Sequence, residues 1–451
     1  MKSLKRGSRL ITLMISVFII GMIVLIAKIQ MEASFYISNS GSRNLGYIYD
    51  RNGDIIFDDN AENGQYPDGY FKDLGNLIGD ASGQMTNTLV AKNLEKLSNY
   101  SFTSGITYKG GKAAIYSTLS HEANEKVYSA FGDKDGCAIA YNYKTGEILV
   151  CVSRPSVDPL KGYEDLAEGS LLCKAFYKTV PGSTQKIATL ISAVETMGMD
   201  ALMEKSFTCN GVYTNNTGLD IVCHNEYGHG TQNIREAFAN SCNPFFAQLV
   251  EDSGWSLANI EDCYKKLGYS VNGSEETEFS INGIISAKAS TTLEDKNEFN
   301  TQWSCIGQGT SLVSPCQLMM WQSAIANESG KSTMPYLIDH VTNVNGRTVE
   351  NASTNYSEQL FSSHTASEVK DIMLENGLNY TGKIPGYTLG IKSGTAQVKD
   401  GKEENSLLTG FVDDKDFPIA FAILIENRES YDVSTESVSY THLTLPTNSL
   451  V

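Results

Sequence analysis

Apolar and polar positions alternate with different periods along the chain, and the period changes mark its organisation. From Leu10 to Ala27 there is no alternation: 18 residues pass without a charge, after Lys2, Lys5, Arg6 and Arg9. As a helix that run spans roughly 27 Å, enough to cross a bilayer core. Gly46–Phe57 contains two β-rich runs around Asn52-Gly53, the signal of a hairpin. One helix is expected around Met85–Leu97. Cys137–Tyr143 and Glu147–Ser153 read as strands joined by a turn at Lys144-Thr145-Gly146. Between about 181 and 270 the period becomes helical; Ile187, Leu190, Ile191 and Val194 recur at i, i+3, i+4 and i+7. Near the end, Tyr387–Ile391, Leu407–Val412 and Pro418–Ile425 read as three further strands. Strands at both ends of a domain with helices between them predict an α+β fold. No internal repeat is present.

These patterns divide the chain into a cytoplasmic tail (1–9), a transmembrane anchor (10–27), a small irregular stalk (28–109), a main domain (110–437) and a tail (438–451). Positive charge before the span keeps residues 1–9 in the cytoplasm and places everything after Lys28 outside. A cleaved signal peptide is the alternative. The apolar run exceeds its usual length, and no small-x-small cleavage site precedes Ala33. The last fourteen residues read as foreign: Val438–Leu443 resembles a frame of a sequencing adapter, and a terminal helix is expected to be missing.

Composition narrows the function. The 451 residues are 41% hydrophobic, with a net charge of −17, which argues against nucleic-acid binding. Nine cysteines include no CxxC, and the six histidines lack zinc-finger spacing, so neither a metal nor a cofactor is expected. Cys137, Cys151 and Cys173 sit in apolar runs and read as core residues. Cys209 and Cys223 flank the polar loop 210–222, which a disulfide outside the membrane would close; free thiols suit a reducing setting equally well.

Three short motifs carry candidate chemistry. Pro181-Gly182 breaks the chain, so a helix begins near Ser183 and Lys186 lies one turn on, on the same side. A serine needs a neighbour to take its proton, and a lysine in a dry site can do so because its pKa is lowered. The backbone N–H of Ser183 can face a developing oxyanion. Ser241-Cys242-Asn243 precedes Pro244, which suits the first position of a helix; a loop there points Ser241 and Asn243 into a cleft. Lys392-Ser393-Gly394-Thr395 follows an apolar run. A lysine on a strand edge can hold a carboxylate, Gly394 admits a ligand close to the backbone, and the Thr395 N–H supplies a second oxyanion donor. Each motif alone is weak, and each has decoys: Ser367–Lys370 on a surface helix, Ser280-Ile281-Asn282, Ser353-Thr354-Asn355, and Lys144-Thr145-Gly146 in a turn. The three together, in this order and 58 and 151 residues apart, form the signature of penicillin-binding proteins and class A β-lactamases.

Over roughly residues 110–430 the chain resembles the transpeptidase domain of class B penicillin-binding proteins. Thr145–Leu149, Ser153–Pro159, Pro181–Ser183, Gly228–Gly230, Gly307–Gly309, Ser314-Pro315 and Ala326-Asn327 add to the likeness. The resemblance implies a penicillin-binding serine-enzyme fold, with a five-stranded antiparallel sheet flanked by helices and an all-helical lobe carrying Ser241 and Asn243. It implies D,D-transpeptidation of peptidoglycan stem peptides and sensitivity to β-lactams. Lys186 then deprotonates Ser183, Ser241 relays a proton to the leaving amine, and Asn243 holds substrate amides. Lys392 with Thr395 holds the terminal carboxylate, and Ser393 and Gly394 belong with them to the substrate-binding strand. It further implies a membrane glycan polymerase and division or elongation proteins as partners. Ser393 stands where many relatives have threonine, and its hydroxyl survives. A β-lactamase is disfavoured because no glutamate loop for deacylation lies between the motifs. A sensor would need further spans or an output domain, and a scaffold would tolerate loss of the motifs, which are all intact.

Overall fold

A computed structural model describes residues 2–31, 45–59, 72–80, 82–98, 100–101, 105–106, 111–158, 161–275, 277–381, 385–398 and 403–428. Lys2–Met31 form one helix, α1, whose segment Arg9–Lys28 is long and apolar enough to cross a membrane. The expected hairpin is present. Strands β1 (Tyr47–Tyr49) and β2 (Ile55–Asp58) pair antiparallel. Asp50 closes the turn by accepting the N–H groups of Asn52 and Asp54, and Gly53 takes a φ of 91° that a side chain would resist.

The expected helix at 85–97 is two single turns, Leu89–Lys92 and Leu94–Leu97. They are separated at Asn93, whose amide donates to the carbonyls of Leu89 and Asn282. That side chain competes with the backbone ladder and breaks it.

Nor does residue 110 mark a structural border. Strand β1 pairs in parallel with β3 (Ala114–Ser117), which pairs with β4 of a later segment (Ile338–Thr342), itself paired with Thr348–Asn351. The region read as a stalk is therefore built into a five-stranded sheet with residues some 290 positions downstream.

All the long strands foreseen in the main domain fall in one antiparallel sheet. Its order is Leu389–Val398, Glu403–Val412, Ile419–Arg428, Gly136–Asn142, Ile148–Arg154. The apolar runs that predicted these strands are continuous because both faces are covered. Along Ile419–Ile425 successive residues belong to opposite cores. Ala420, Ala422 and Leu424 join the large cluster with Trp321, while Ile419, Phe421, Ile423 and Ile425 join a smaller one with Val127 of helix His121–Ala130 and Phe131, the residue that caps it. The residues expected to be foreign, and any helix after the last strand, lie outside the described residues.

Helix Pro315–Ala326 runs through the large core with all twelve residues buried. It starts where the sequence dictates, with Ser314 accepting the Gln317 N–H and proline in the first turn. Two of its polar side chains reach the adjoining lobe: Gln317 and Trp321 both donate to the Leu267 carbonyl, at 3.1 and 3.0 Å. This helix ties the sheet to a lobe made of helices Lys186–Met197, Asn243–Glu251, Leu257–Lys266 and Phe299–Ile306. The lobe also carries short two-stranded ribbons, among them Phe207–Cys209 with Gly230–Gln232, and Val212–Thr214 with Asp220–Val222. Trp321→Ala leaves a large void at this junction and is expected to cost about 3–5 kcal/mol. A urea melt showing less than about 1 kcal/mol lost would place Trp321 outside the load of the core.

Candidate active site

The three motifs meet where the edge strand of the main sheet faces the lobe. Gly182–Gln185 make a single 3-10 turn, and the α-helix proper starts at Lys186, three residues after the expected start at Ser183. Glycine explains how close the turn comes to the strand. Gly182 has φ 53°, and a Cβ there would lie 2.6 Å from the Thr395 carbonyl oxygen. On the strand, a Cβ at Gly394 would lie 3.0 Å from the Ser183 nitrogen. Gly307, at φ 108°, packs so tightly that a Cβ would sit 1.7 Å from the Gly182 carbonyl oxygen. Three backbone segments touch at a point that any side chain would hold open.

Lys186 is fully buried, and its Nζ bonds the Ser183 Oγ at 2.5 Å and the Asn243 Oδ1 at 2.8 Å. Burial, reinforced by the charge of Lys392, pulls its ammonium well below the ordinary lysine range. Lys392 is 1% exposed and donates to the Ser241 Oγ at 3.0 Å and the Ser393 carbonyl at 2.8 Å. Desolvation brings its pKa down to about 7. Ser241 holds a left-handed φ of 51°, rare for a residue with a Cβ, at the end of a turn that follows helix Ile234–Ala239. That helix is fixed by a capping box between Asn233 and Glu236. The strained turn aims Ser241 and Asn243 at the two lysines, and the Asn243 amide is anchored by donating to the Val222 carbonyl at 3.0 Å.

In front of this cluster lies a cleft of about 560 Å³. Ser183, Asn243 and Thr395 line it; Lys186, Ser241 and Lys392 stand behind them. Ser393 is not part of the lining, and its Oγ accepts from the Tyr380 hydroxyl at 3.0 Å. Alternation along the strand puts it on the face of Thr395 and Gln397, opposite Lys392, with its hydroxyl engaged by Tyr380.

The cleft wall holds residues that motif reading missed. Phe299 and Trp303 stack at 5.5 Å and are one helical turn apart, a signal the apolar period carries. Gln308, inside the Gly307–Gly309 stretch, reaches toward the Thr395 carbonyl at 3.5 Å. Asp220, His224, Gln397 and Glu404 had no sequence signal.

The decoys separate cleanly. Lys144-Thr145-Gly146 is a turn capped by Asn142. Ser367–Lys370 lies on helix Ser363–Gly377, which packs against the sheet rather than standing on the surface; Lys370 is 9% exposed and pairs with Glu328 and Asp413 at 2.6 and 3.0 Å. Cys137, Cys151 and Cys173 are buried in the core as read. Cys209 and Cys223 are unbonded thiols, and both lie with Cys242 and His229 in a single group whose ligand atoms are all within 4.8 Å of one another. No metal was expected from the sequence; these four ligand atoms lie close enough to hold an ion, and spacing alone hides the group, because two folded-back ribbons bring the residues together.

Comparison with known proteins agrees with the geometry. Residues 136–441 match the family of the penicillin binding protein transpeptidase domain. Stage V sporulation protein D of Bacillus subtilis is 32% identical over 288 residues, covering 61% of this chain and 42% of that protein. Peptidoglycan D,D-transpeptidase PbpA of Mycolicibacterium smegmatis is 25% identical over 352 residues, 72% of this chain and 69% of the other. The chain thus spans well under two thirds of the first of these relatives. Penicillin-binding protein A from M. tuberculosis, solved as a penicillin G acyl-enzyme complex, superposes with a TM-score of 0.72 at 18% identity, covering 89% of this chain and 98% of that one.

The glycine contact makes a prediction. Gly218→Ala, at φ 83° in open space, carries only left-handed strain of about 1–2 kcal/mol. Gly182→Ala adds a backbone collision and should be the more destabilising of the two in urea unfolding. Equal losses would mean that the turn at Ser183 yields without cost.

Proposed function

The chain belongs to the penicillin-binding protein transpeptidase family, and we propose that it is a membrane-anchored peptidoglycan D,D-transpeptidase working through a Ser183 acyl-enzyme. The observation that carries this reading is the 2.5 Å contact between the Ser183 Oγ and a fully buried Lys186 amine. An amine whose charged form is disfavoured by burial accepts the serine proton at neutral pH.

Oγ then attacks the carbonyl carbon of the D-Ala–D-Ala bond of a stem peptide. The oxyanion forms beside the N–H groups of Ser183 and Thr395, which the glycine contact holds against each other. Asn243 holds substrate amide groups at the cleft edge. As the tetrahedral state collapses, the C–N bond breaks and the proton that Lys186 took from Ser183 passes through the Ser241 hydroxyl to the departing D-Ala amine, with Lys392 donating to the Ser241 Oγ to orient it. An amine from a second stem peptide attacks the ester carbonyl in the reverse sense, releasing Ser183 and leaving the cross-link. Lys392 in its ammonium form and Thr395 attract the terminal carboxylate; Gly394 keeps the strand close enough to reach. A β-lactam enters by the same first step. Helix α1 anchors the catalytic domain on the outer face of the membrane, beside a membrane glycan polymerase and division or elongation proteins as partners.

Ser183→Ala should abolish labelling by a fluorescent penicillin, with the adduct on wild type mapped by peptide mass spectrometry to Ser183. Lys186→Ala should slow labelling by about 10²–10⁴-fold with an unchanged melting temperature. Normal acylation of either variant would remove the role given to it.

A pH profile tests Lys392. Its folded pKa of about 7 means that it is charged below that pH and neutral above it. Carboxylate attraction is therefore present below about 7 and lost as pH rises through it, while loss of the Lys186 proton sets the rising limb. The second-order acylation rate reports the free enzyme and should fall on the alkaline side of about 7. Lys392→Arg, charged at all these pH values, should remove that fall. An unchanged alkaline limb in the arginine variant would assign it to another group.

A further inference from the structure

The group at Cys209, Cys223, His229 and Cys242 has no part in the chemistry above. It sits directly behind one of the chemistry's three motifs. Three of its members are cysteines with 1%, 4% and 0% of their surface exposed, and the fourth is a half-buried imidazole. Their four ligand atoms lie within 4.8 Å of one another, and the Cys223 sulfur is 3.4 Å from the His229 Nδ1. In a tetrahedral zinc site, ligand bonds of 2.0–2.3 Å put sulfur and nitrogen roughly 3.6 Å apart and two sulfurs roughly 3.8 Å apart. The Cys223–His229 pair is already at that spacing, and the whole set, within 4.8 Å, needs to close by no more than about 1 Å to form such a shell. Three sulfurs and one imidazole nitrogen are also the donor set of structural zinc.

The backbone is shaped to gather these groups. Cys209 ends the strand Phe207–Cys209, and its register partner is Gly230, next to His229. The His229 N–H donates to the Cys209 carbonyl at 3.0 Å, and the Cys223 N–H to the Gly211 carbonyl at 2.8 Å. Two glycines permit the fold-back. A Cβ at Gly228, φ 75°, would lie 2.2 Å from the Cys209 carbonyl oxygen, and one at Gly211, φ 91°, would lie 2.0 Å from that of Glu226. Cys242 comes from outside the ribbons. It is the residue between Ser241 and Asn243, and the N-cap of helix Asn243–Glu251. A disulfide between any two of the cysteines would leave a third thiol and the imidazole facing it. A divalent cation uses all four.

We propose that Cys209, Cys223, Cys242 and the Nδ1 of His229 bind one zinc ion that fastens the Ser241–Asn243 loop to the two ribbons. The ion binds three thiolates and releases their protons, so the site is loaded under reducing conditions. Cys223 also lines the cleft, and Val222 beside it accepts the Asn243 amide. The metal therefore sets both the left-handed turn at Ser241 and the cleft wall opposite Thr395. It positions these groups and does not touch the substrate.

The test begins with the full chain in detergent, produced in zinc-supplemented culture and purified without chelator. Elemental analysis by mass spectrometry should find about one zinc per chain, and removing the metal should raise the reactivity of Cys209, Cys223 and Cys242 toward thiol reagents while the other six buried cysteines stay unchanged. Cys209→Ser and His229→Gln should each lower the zinc content several-fold, while Cys305→Ser, buried elsewhere, should not. Chelation should slow acylation by fluorescent penicillin at least tenfold, and Zn²⁺ alone should restore it. A wild-type protein that holds no zinc, before or after titration with Zn²⁺, overturns the site, as does a disulfide among these cysteines found by mass spectrometry. Zinc present at full stoichiometry with acylation indifferent to its removal overturns the positioning role. Zinc content is read without acylation, so a folded, zinc-loaded protein that never labels would count against the Ser183 reading and not against the metal.

Discussion

Two lysines buried in the same dry space impose the main constraint on this molecule. Lys186 and Lys392 are almost wholly withdrawn from water, and their described hydrogen bonds go to neutral oxygens of Ser183, Asn243, Ser241 and the Ser393 backbone. An uncompensated ammonium in such a place is expensive, and two near each other more so. The rest of the fold holds them there: the central helix Pro315–Ala326 welds sheet to lobe, the capping box of Ile234–Ala239 fixes the turn at Ser241, and three glycines let the backbones close over the site. The cost is met by the apolar burial around them, and the result is an amine whose charged form is disfavoured beside a serine.

How much of this could be read from the sequence depended on whether a feature was local. The strands of the main sheet were visible because both their faces are buried, and residues 419–425 are apolar without interruption. Ser183, Lys186, Ser241, Asn243 and Lys392 were found through order and spacing, and the structure brings all five together. Where side chains compete with the backbone, the reading slipped: Asn93 split a predicted helix, and the helix expected from Ser183 starts instead at Lys186. For Ser393 the motif string carries no sign of Tyr380, whose hydroxyl engages its Oγ from a separate segment.

Long-range assembly was illegible. Nothing in residues 47–58 announces a sheet shared, through Ala114–Ser117, with residues 338–351, because the strands are short and the segments between carry no matching signal. The same holds for the thiol and imidazole cluster: its members are separated by 13, 5 and 12 residues, with no pair close enough to look like a ligand motif. Two tight ribbons and one helix cap supply the proximity that spacing lacks. The cleft wall sits between these cases, since Phe299 and Trp303 follow a helical period that core residues follow as well.

The interleaving of early and late strands bears on how the chain acquires its shape as it emerges. Strands Gly136–Asn142 and Ile148–Arg154 can pair with each other at once, but the flank that bonds to Ile419–Arg428 stays open until nearly the last described residue has been delivered. The first hairpin waits in the same way for Ile338–Thr342 to complete its sheet. If the proposed topology holds, a polypeptide exported amino-terminus first passes through a stage in which two apolar strand edges are exposed before their partners arrive. Helix α1, long and apolar enough to cross a membrane, would then hold that unfinished species at a surface and apart from its copies, guarding the nascent domain as well as locating the mature one.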